Sequence, residues 1–402
     1  MLEKLTIKDF SFENQKVLMR VDFNVPLTKQ GSIADIARIQ ETLPSIEHIL
    51  SKKGSIILIS HMGRPDGRVD KKFSLEICQK QLELLLKRPV AFEPDCIGIS
   101  AQKSKSSLRP GDILLLENLR FYPAEENPEQ DPSFAKQLAQ GCDIFINDAF
   151  GAAHRKHSSI TEVPLYFPKK SGMGFLMEKE YLFLKKNIDQ PKRPFYALIG
   201  GAKVSSKLGV ITSLFDKVDK IFIGGAMAFT FLKCMGFDVG NSYVEDNQIA
   251  HIKKFLELNA HQISKIFFPI DILAGKSPDD TNAPVCLQLK DGIAPHLMGL
   301  DIGPQTLKAW SQALESGATY FWNGPMGVFE NPLFREGTAS IAQILAKQQG
   351  VKIVGGGDSV AAINLLHLSK NFSHLSTGGG ASLELIEYGH LPGIDALSNK
   401  NS

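Results

Sequence analysis

Short apolar runs recur along the chain, each followed by a glycine or turn and then by a helix-like stretch. In the first half they occupy residues 17–21, 56–60, 113–116 and 144–147. The second half repeats the pattern at 196–199, 221–223, 266–268, 319–322 and 352–354. Uninterrupted apolar runs of this length suit parallel strands covered by helices on both faces. Helical periodicity between them falls at 36–50, 74–86, 133–140, 205–215, 304–315 and 337–347. The alternation predicts an α/β fold with two sheets rather than one. The break between them is expected near 172–187, where Gly172, Met173 and Gly174 lead into a helical stretch from Phe175 to Leu182. Pro191 and Pro194 then stop helix before the next strand.

Glycines gather behind the strands of the second half: Gly200 and Gly201, Gly224 and Gly225, Gly355 to Gly357, and Gly378 to Gly380. One such cluster reads as a tight turn needing positive φ. Four in one lobe point to a ligand-binding face at the carboxyl ends of parallel strands.

Length and composition narrow the class. A chain of 402 residues suggests two or three domains. The formal net charge is +2, and no basic block marks a nucleic-acid surface. No apolar run approaches the roughly 18 residues of a membrane span, and the stretch opening Met1-Leu2-Glu3-Lys4 lacks a signal-length apolar run. Cys78, Cys96, Cys142, Cys234 and Cys286 are far apart, without a CxxC pair, which fits free thiols in a reducing compartment. The expectation is a cytoplasmic soluble protein.

Arginine placement says more than net charge. Arg20, Arg38, Arg64, Arg68, Arg88, Arg109, Arg120 and Arg155 all lie in the first 155 residues; only Arg193 and Arg335 follow. Scattered surface arginines would explain this, but so would an anion site in the first lobe, since the guanidinium fork fits carboxylate and phosphate oxygens. The motifs favour the site. Behind the apolar runs come Arg20-Val21-Asp22-Phe23-Asn24, His61-Met62-Gly63-Arg64-Pro65, Glu117-Asn118-Leu119-Arg120 and the stretch from Asn147 to Arg155. Such placement converges arginines and a histidine at one edge of a sheet, where an empty cluster would repel itself and a phosphate-bearing acid would satisfy it. No Walker A, dinucleotide fingerprint or HExxH pattern occurs.

Taken together, these segments resemble the phosphoglycerate kinase family. The likeness runs from Val17 to Leu397 and includes the blocks at 60–65, 200–207, 301–304, 322–330 and 355–359. It implies two Rossmann-like three-layer lobes with parallel sheets, joined by a helical hinge. The expected division is 1–172 for a phosphoglycerate-binding lobe, 173–190 for the hinge helix, 191–388 for a nucleotide-binding lobe and 389–402 for a C-terminal segment returning to the first lobe. The implied reaction moves a phosphoryl group from 1,3-bisphosphoglycerate to ADP, giving 3-phosphoglycerate and ATP, with Mg²⁺ accompanying the nucleotide. A monomer acting on small molecules, without nucleic acid or membrane, is implied as well.

The resemblance also assigns roles. Asp22, Phe23 and Asn24 would meet the hydroxyl and carboxyl region of the acid. His61, Met62, Gly63, Arg64, Arg120 and Arg155 would hold its non-transferred phosphate, and Arg38 would face the transferred group. Lys203, Gly379 and Gly380 would lie on the transfer path, and Lys207 on the nucleotide phosphates. Gly201, Gly225, Gly299 and Pro325 would line the nucleotide cleft, with Glu330 at the ribose. Gly356, Gly357 and Ser359 would lie beside the phosphates, and Asp358 would hold the magnesium. Three departures from the commonest pattern stand out: Ser206 where many relatives carry Asp, Ser359 for Thr, and Tyr388-Gly389-His390 for Glu-Gly-Lys. A hydroxyl at Ser206 is expected to cap a helix in place of the carboxylate.

Neither acceptor oxygen of such a reaction needs a general base, so a centre of Arg, Lys, Mg²⁺ and backbone N–H groups suffices to align and neutralise. Because the two residue sets fall in different lobes, hinge closure is expected. Two other readings stay open. An acetate-type carboxylate kinase would leave the first-lobe arginines without a phosphate. A binding protein of the same fold would not need Arg38, Lys203 and Asp358 together.

Overall fold

The computed structural model describes residues 3–376 and 378–400. Two compact units emerge, Met1–Phe183 with His390–Ser402, and Leu184–Gly389. The dividing point lies within the helix Phe175–Asp189.

The first unit holds six strands: β1 (Lys16–Arg20), β2 (Ser55–Ile59), β3 (Ala91–Glu93), β4 (Ile113–Leu116), β5 (Ile144–Asn147) and β6 (Ser171–Met173). Their order is β3-β4-β2-β1-β5-β6, and every pairing is parallel. In β2, β4 and β5 every residue is buried, which is why the sequence reads as continuous apolar runs. Helix Ala37–Ser51 sets Ile39, Ile46 and Ile49 into one core with Val17, Met19, Ile56 and Leu58. Because β1 leads outward to β2 on one side and pairs with β5 on the other, the strand order reverses beside β1. That reversal opens a crevice at the carboxyl ends of β1 and β5.

The second unit repeats the plan with β7 (Phe195–Ile199), β8 (Lys220–Ile223) and β9 (Ile266–Phe267), then β13 (Thr319–Asn323), β14 (Val351–Gly355) and β15 (His374–Ser376). They form a parallel sheet in the order β15-β14-β13-β7-β8-β9, reversing between β7 and β13. Trp310, Trp322, Phe222 and Tyr320 dominate its core. An antiparallel sheet of β10 (Asp271–Gly275), β11 (Val285–Gln288) and β12 (Met298–Ile302), ordered β11-β10-β12, was not expected from the sequence. Its strands cover a small core of Phe229, Leu232, Ile272 and Leu289, while β11 stays largely exposed and so lacks a buried-strand pattern.

The segment 390–400 belongs to the first unit. Leu5 N–H donates to the Ser398 carbonyl at 2.9 Å, and Gly393 N–H to the Ala153 carbonyl at 2.8 Å. Among the described residues no helix is long and apolar enough to cross a membrane.

Candidate active site

In the first unit, four adjacent parallel strands deliver their following residues to one edge. β1 is followed by Asp22, Phe23 and Asn24; β2 by His61, Met62, Gly63 and Arg64; β4 by Arg120; and β5 by Arg155. Hydrogen bonds knit these turns together. Asn24 Oδ1 accepts from Gly63 N–H at 2.9 Å, and Phe23 N–H donates to Ser60 Oγ at 2.8 Å. Asn118, wholly buried, bonds Met62 through both its N–H and its carbonyl and accepts from Arg120 N–H. Arg120 in turn donates to the Gly63 carbonyl at 2.7 Å. Asp22 and Asn24 are tied to each other by the bond from Asn24 N–H to Asp22 Oδ1. Arg38 sits in the first turn of Ala37–Ser51 and pairs with Asp22 at 2.6 Å.

The electrostatics of this edge are strongly positive. Burial, followed by the charges of Arg20 and Arg120, holds the His61 imidazole well below its usual range. Burial and the same cations push His157 down to about 3. The compensating carboxylates are few. Glu126 lies 3.0 Å from Arg120 Nη2, yet neither that nitrogen nor Nε of Arg120 makes a hydrogen bond among the described residues. Buried donors without acceptors are costly, and an incoming phosphate would satisfy them. Arg64 is exposed and Arg155 half-buried; among the described residues the side chain of neither is held by a hydrogen bond or ion pair.

Sequence reasoning gave no site role to the support beneath this edge. Arg20 is entirely buried, donates from Nε to Ser159 Oγ at 2.9 Å and lies 3.9 Å from Glu125. Glu125, also fully buried, accepts from the N–H and hydroxyl of Ser159.

In the second unit the carboxyl edge is lined by backbone. Gly201 follows β7, Gly225 follows β8, Pro325 follows β13, Gly356, Gly357, Asp358 and Ser359 follow β14, and Gly379 and Gly380 follow β15. These turns touch closely. Gly201 N–H donates to the Pro325 carbonyl at 2.8 Å, and Gly225 N–H to the Met326 carbonyl at 3.1 Å. A Cβ on Gly225, at φ +65°, would stand 2.5 Å from Gly201 N, so only glycine fits there. Ser359 Oγ accepts from Gly324 N–H at 2.7 Å, joining the β13 and β14 turns. Two helices begin at this edge, Gly357–Leu365 and Gly380–Tyr388, and their free N–H groups favour anions. Gly356 caps the first of them, and Asp358 lies within its first turn.

Lys203 is exposed and Lys207 half-buried. Burial lowers the Lys207 ammonium to about 8, against the opposing charge of Asp358. The turn carrying both lysines is anchored by Glu245, which accepts from Ser205 N–H at 3.0 Å and Ser205 Oγ at 2.7 Å. Ser206 does not cap the following helix, as the sequence suggested; its hydroxyl donates to the Lys203 carbonyl, and Lys207 occupies the cap position. Gly299 stands apart on β12, where a Cβ would meet the Phe229 ring at 2.0 Å. Its strand reaches the others because Val328 N–H donates to the Leu300 carbonyl at 2.9 Å, linking β12 to the loop of Pro325 and Glu330. Glu330 itself is exposed. Asn323 was given no role by the sequence, yet it is fully buried and both its amide atoms lack a hydrogen-bond partner among the described residues.

Comparison with known proteins bears on the fold and the family. The sequence model of the phosphoglycerate kinase family matches residues 7–389. A phosphoglycerate kinase of Chlamydia muridarum is 46% identical over 404 residues, covering 100% of both chains. That of Chlamydia felis is 46% identical over 400 residues, with 99% of each covered. Among solved structures, phosphoglycerate kinase from Coxiella burnetii superposes with a TM-score of 0.86 at 33% identity, covering 98% of both chains. The enzyme from Pyrococcus horikoshii gives 0.83 at 30% identity, again over 98% of both.

Proposed function

The chain belongs to the phosphoglycerate kinase family, and from that premise we propose which of its residues carry the reaction. The enzyme is a phosphotransferase with a carboxyl group as acceptor, moving a phosphoryl group reversibly between 1,3-bisphosphoglycerate and ADP in glycolysis and gluconeogenesis.

The first unit takes the acid. His61, Arg64, Arg120 and Arg155 bind its non-transferred phosphate; Asp22, Phe23 and Asn24 orient the hydroxyl and carboxyl end, with Met62 and Gly63 shaping the wall. The observation that carries this reading is the row of four strand ends with clustered positive charge and a buried Arg120 Nε that has no partner among the described residues. The second unit takes the nucleotide through Gly201, Gly225, Gly299, Pro325, Glu330, Gly356, Gly357 and Ser359, with Lys207 on the phosphates. Arg38 and Lys203 neutralise the transferring group, and Gly379 and Gly380 offer backbone donors to it.

Asp358 suits a magnesium ion carried by the nucleotide. Among the described residues no group of three or more His, Cys, Asp or Glu could hold a metal by itself. A single exposed carboxylate fits an ion that keeps its water and takes its other ligands from phosphate. When bound, the ion supplies charge neutralisation at the nucleotide phosphates. Proton transfer is not required of any side chain, so the work of this chain is alignment and charge.

We also propose a monomer in the cytoplasm, its partners limited to 3-phosphoglycerate, 1,3-bisphosphoglycerate and ADP or ATP. The absence of a basic block supports small-molecule partners over nucleic acid, and the five free cysteines fit a reducing compartment. The function is tested by ATP formation from ADP dependent on 1,3-bisphosphoglycerate. Activity with acetyl phosphate but not with the bisphosphate would sink it.

A further inference from the structure

We propose that Arg20 is a positioning residue that fixes His61 as the neutral tautomer protonated on Nε2, presenting that nitrogen as a donor to the substrate phosphate. The recognition half of this inference rests on the phosphate role given to His61 above.

Arg20 ends β1 and lies opposite Ile59 of β2, two positions before His61. Its Nη2 stands 3.1 Å from His61 Nδ1, and neither side chain has appreciable exposure. A guanidinium carries donors only. The contact is therefore a hydrogen bond only if Nδ1 offers a lone pair. A neutral imidazole has one ring proton, which is then on Nε2. Protonating the ring would set an Nδ1–H against a guanidinium N–H.

The arginine is itself immobilised. Its Nε donates to Ser159 Oγ at 2.9 Å, Nη1 donates to the Val21 carbonyl, and Glu125 faces Nη2 at 3.9 Å. Glu125 is held by two bonds from Ser159, so donor, counter-charge and anchor form one buried unit. The charged and titratable groups that face His61 are Arg20, Arg120, His157 and Arg155, all disfavouring a ring cation. Among the described residues Nε2 has no hydrogen-bond partner. A neutral donor adds a bond to phosphate without another positive charge in a cluster already crowded with them.

The test begins with the full chain labelled with ¹⁵N and a long-range ¹H–¹⁵N histidine spectrum, the His61 signals being assigned by their loss in His61→Gln. The expected pattern is neutral and Nε2-protonated throughout pH 6 to 8, with Nε2 shifting on addition of 3-phosphoglycerate. An Nδ1-protonated ring, or an imidazolium within that range, overturns the proposal. Arg20→Lys keeps a donor and is expected to keep the tautomer. Arg20→Met combined with Glu125→Gln removes the donor and its counter-charge together, and should give mixed tautomers; an unchanged single tautomer would overturn the role of Arg20. Should that double variant fail to fold, binding decides. The amide of His61→Gln places an N–H near the Nε2 position and that of His61→Asn near Nδ1. The Gln variant is expected to bind 3-phosphoglycerate at least about tenfold tighter than the Asn variant, the worth of one hydrogen bond to a charged group. Equal binding overturns the proposal. An Nε2-protonated ring that 3-phosphoglycerate does not perturb overturns the phosphate role of His61 and the recognition half, leaving the tautomer result intact.

Discussion

Arg38 Nη1 donates to Asp22 Oδ2 across 2.6 Å, with the arginine side chain 32% exposed and the carboxylate 10%. The guanidinium is thus aimed by one bond while its other donors remain available. If those donors serve the transferring group, Arg38→Ala should lower kcat far more than it weakens 3-phosphoglycerate binding. The expected loss is on the order of 10²-fold, as for other single preorganised donors. Steady-state rates and equilibrium titration on the same variant check this; near-normal turnover would remove Arg38 from the centre.

Asp358→Ala should impair use of the magnesium nucleotide while leaving 3-phosphoglycerate affinity almost unchanged. In the proposed assignment the two ligands draw on different units of the chain, and Asp358 belongs to the second. Calorimetric titration of each ligand separates the effects. Selective loss of the acid's affinity would reject the assignment.

Lys207 gives a pH dependence with a definite sign. Its ammonium loses its proton near pH 8, lowered from 10.5 chiefly by burial. Bound phosphates favour the charged form, so binding above pH 8 must take up a proton, and affinity falls as pH rises. ADP affinity should be level between pH 6.5 and 7.5, then drop by up to about tenfold per unit beyond pH 8. Lys207→Arg should flatten the curve, because a guanidinium stays charged. A wild-type profile as flat as that of the variant would count against Lys207 on the phosphates.

Two glycines of the second unit should respond oppositely to alanine. A Cβ at Gly200 would lie 2.3 Å from the Pro325 carbonyl oxygen, a backbone atom with little room to yield. Gly200→Ala should cost about 1–3 kcal/mol of stability, as overpacking does. A Cβ at Gly357 meets nothing within 4 Å. Gly357→Ala should therefore melt like the parent chain and lose nucleotide affinity alone, if phosphate lies over that helix start. Thermal unfolding alongside ADP titration distinguishes the two; a destabilised Gly357→Ala would contradict the open space found there.

The sequence made the parallel sheets legible because their central strands are buried on both faces, leaving uninterrupted runs such as that of β2. The anion edge was legible because four of those runs are each followed by basic residues. Support beneath the edge was not. Arg20 and Ser159 are 139 residues apart, and nothing local to either signals the other. Asn323 was visible within a glycine-rich block, but its burial without partners depends on how β13 sits under the Gly356 turn, where its amide nitrogen comes within 3.0 Å of a Cβ position. The antiparallel sheet escaped because β11 is only four residues long with none of them buried, and it pairs with β10 through a loop carrying no apolar periodicity.

The pairing of Gly393 with Ala153 bears on how the chain is made. Synthesis runs from the amino end, so residues 390–400 are translated only after the whole of the second unit. Until then Leu5, Ala153 and Asn147 lack the partners they have in the finished fold. Ala153 belongs to the same turn as Arg155, so the nascent first lobe reaches the ribosome's exit with its phosphate edge unbuttressed. It waits for more than two hundred residues of the second unit to emerge before that turn can be locked.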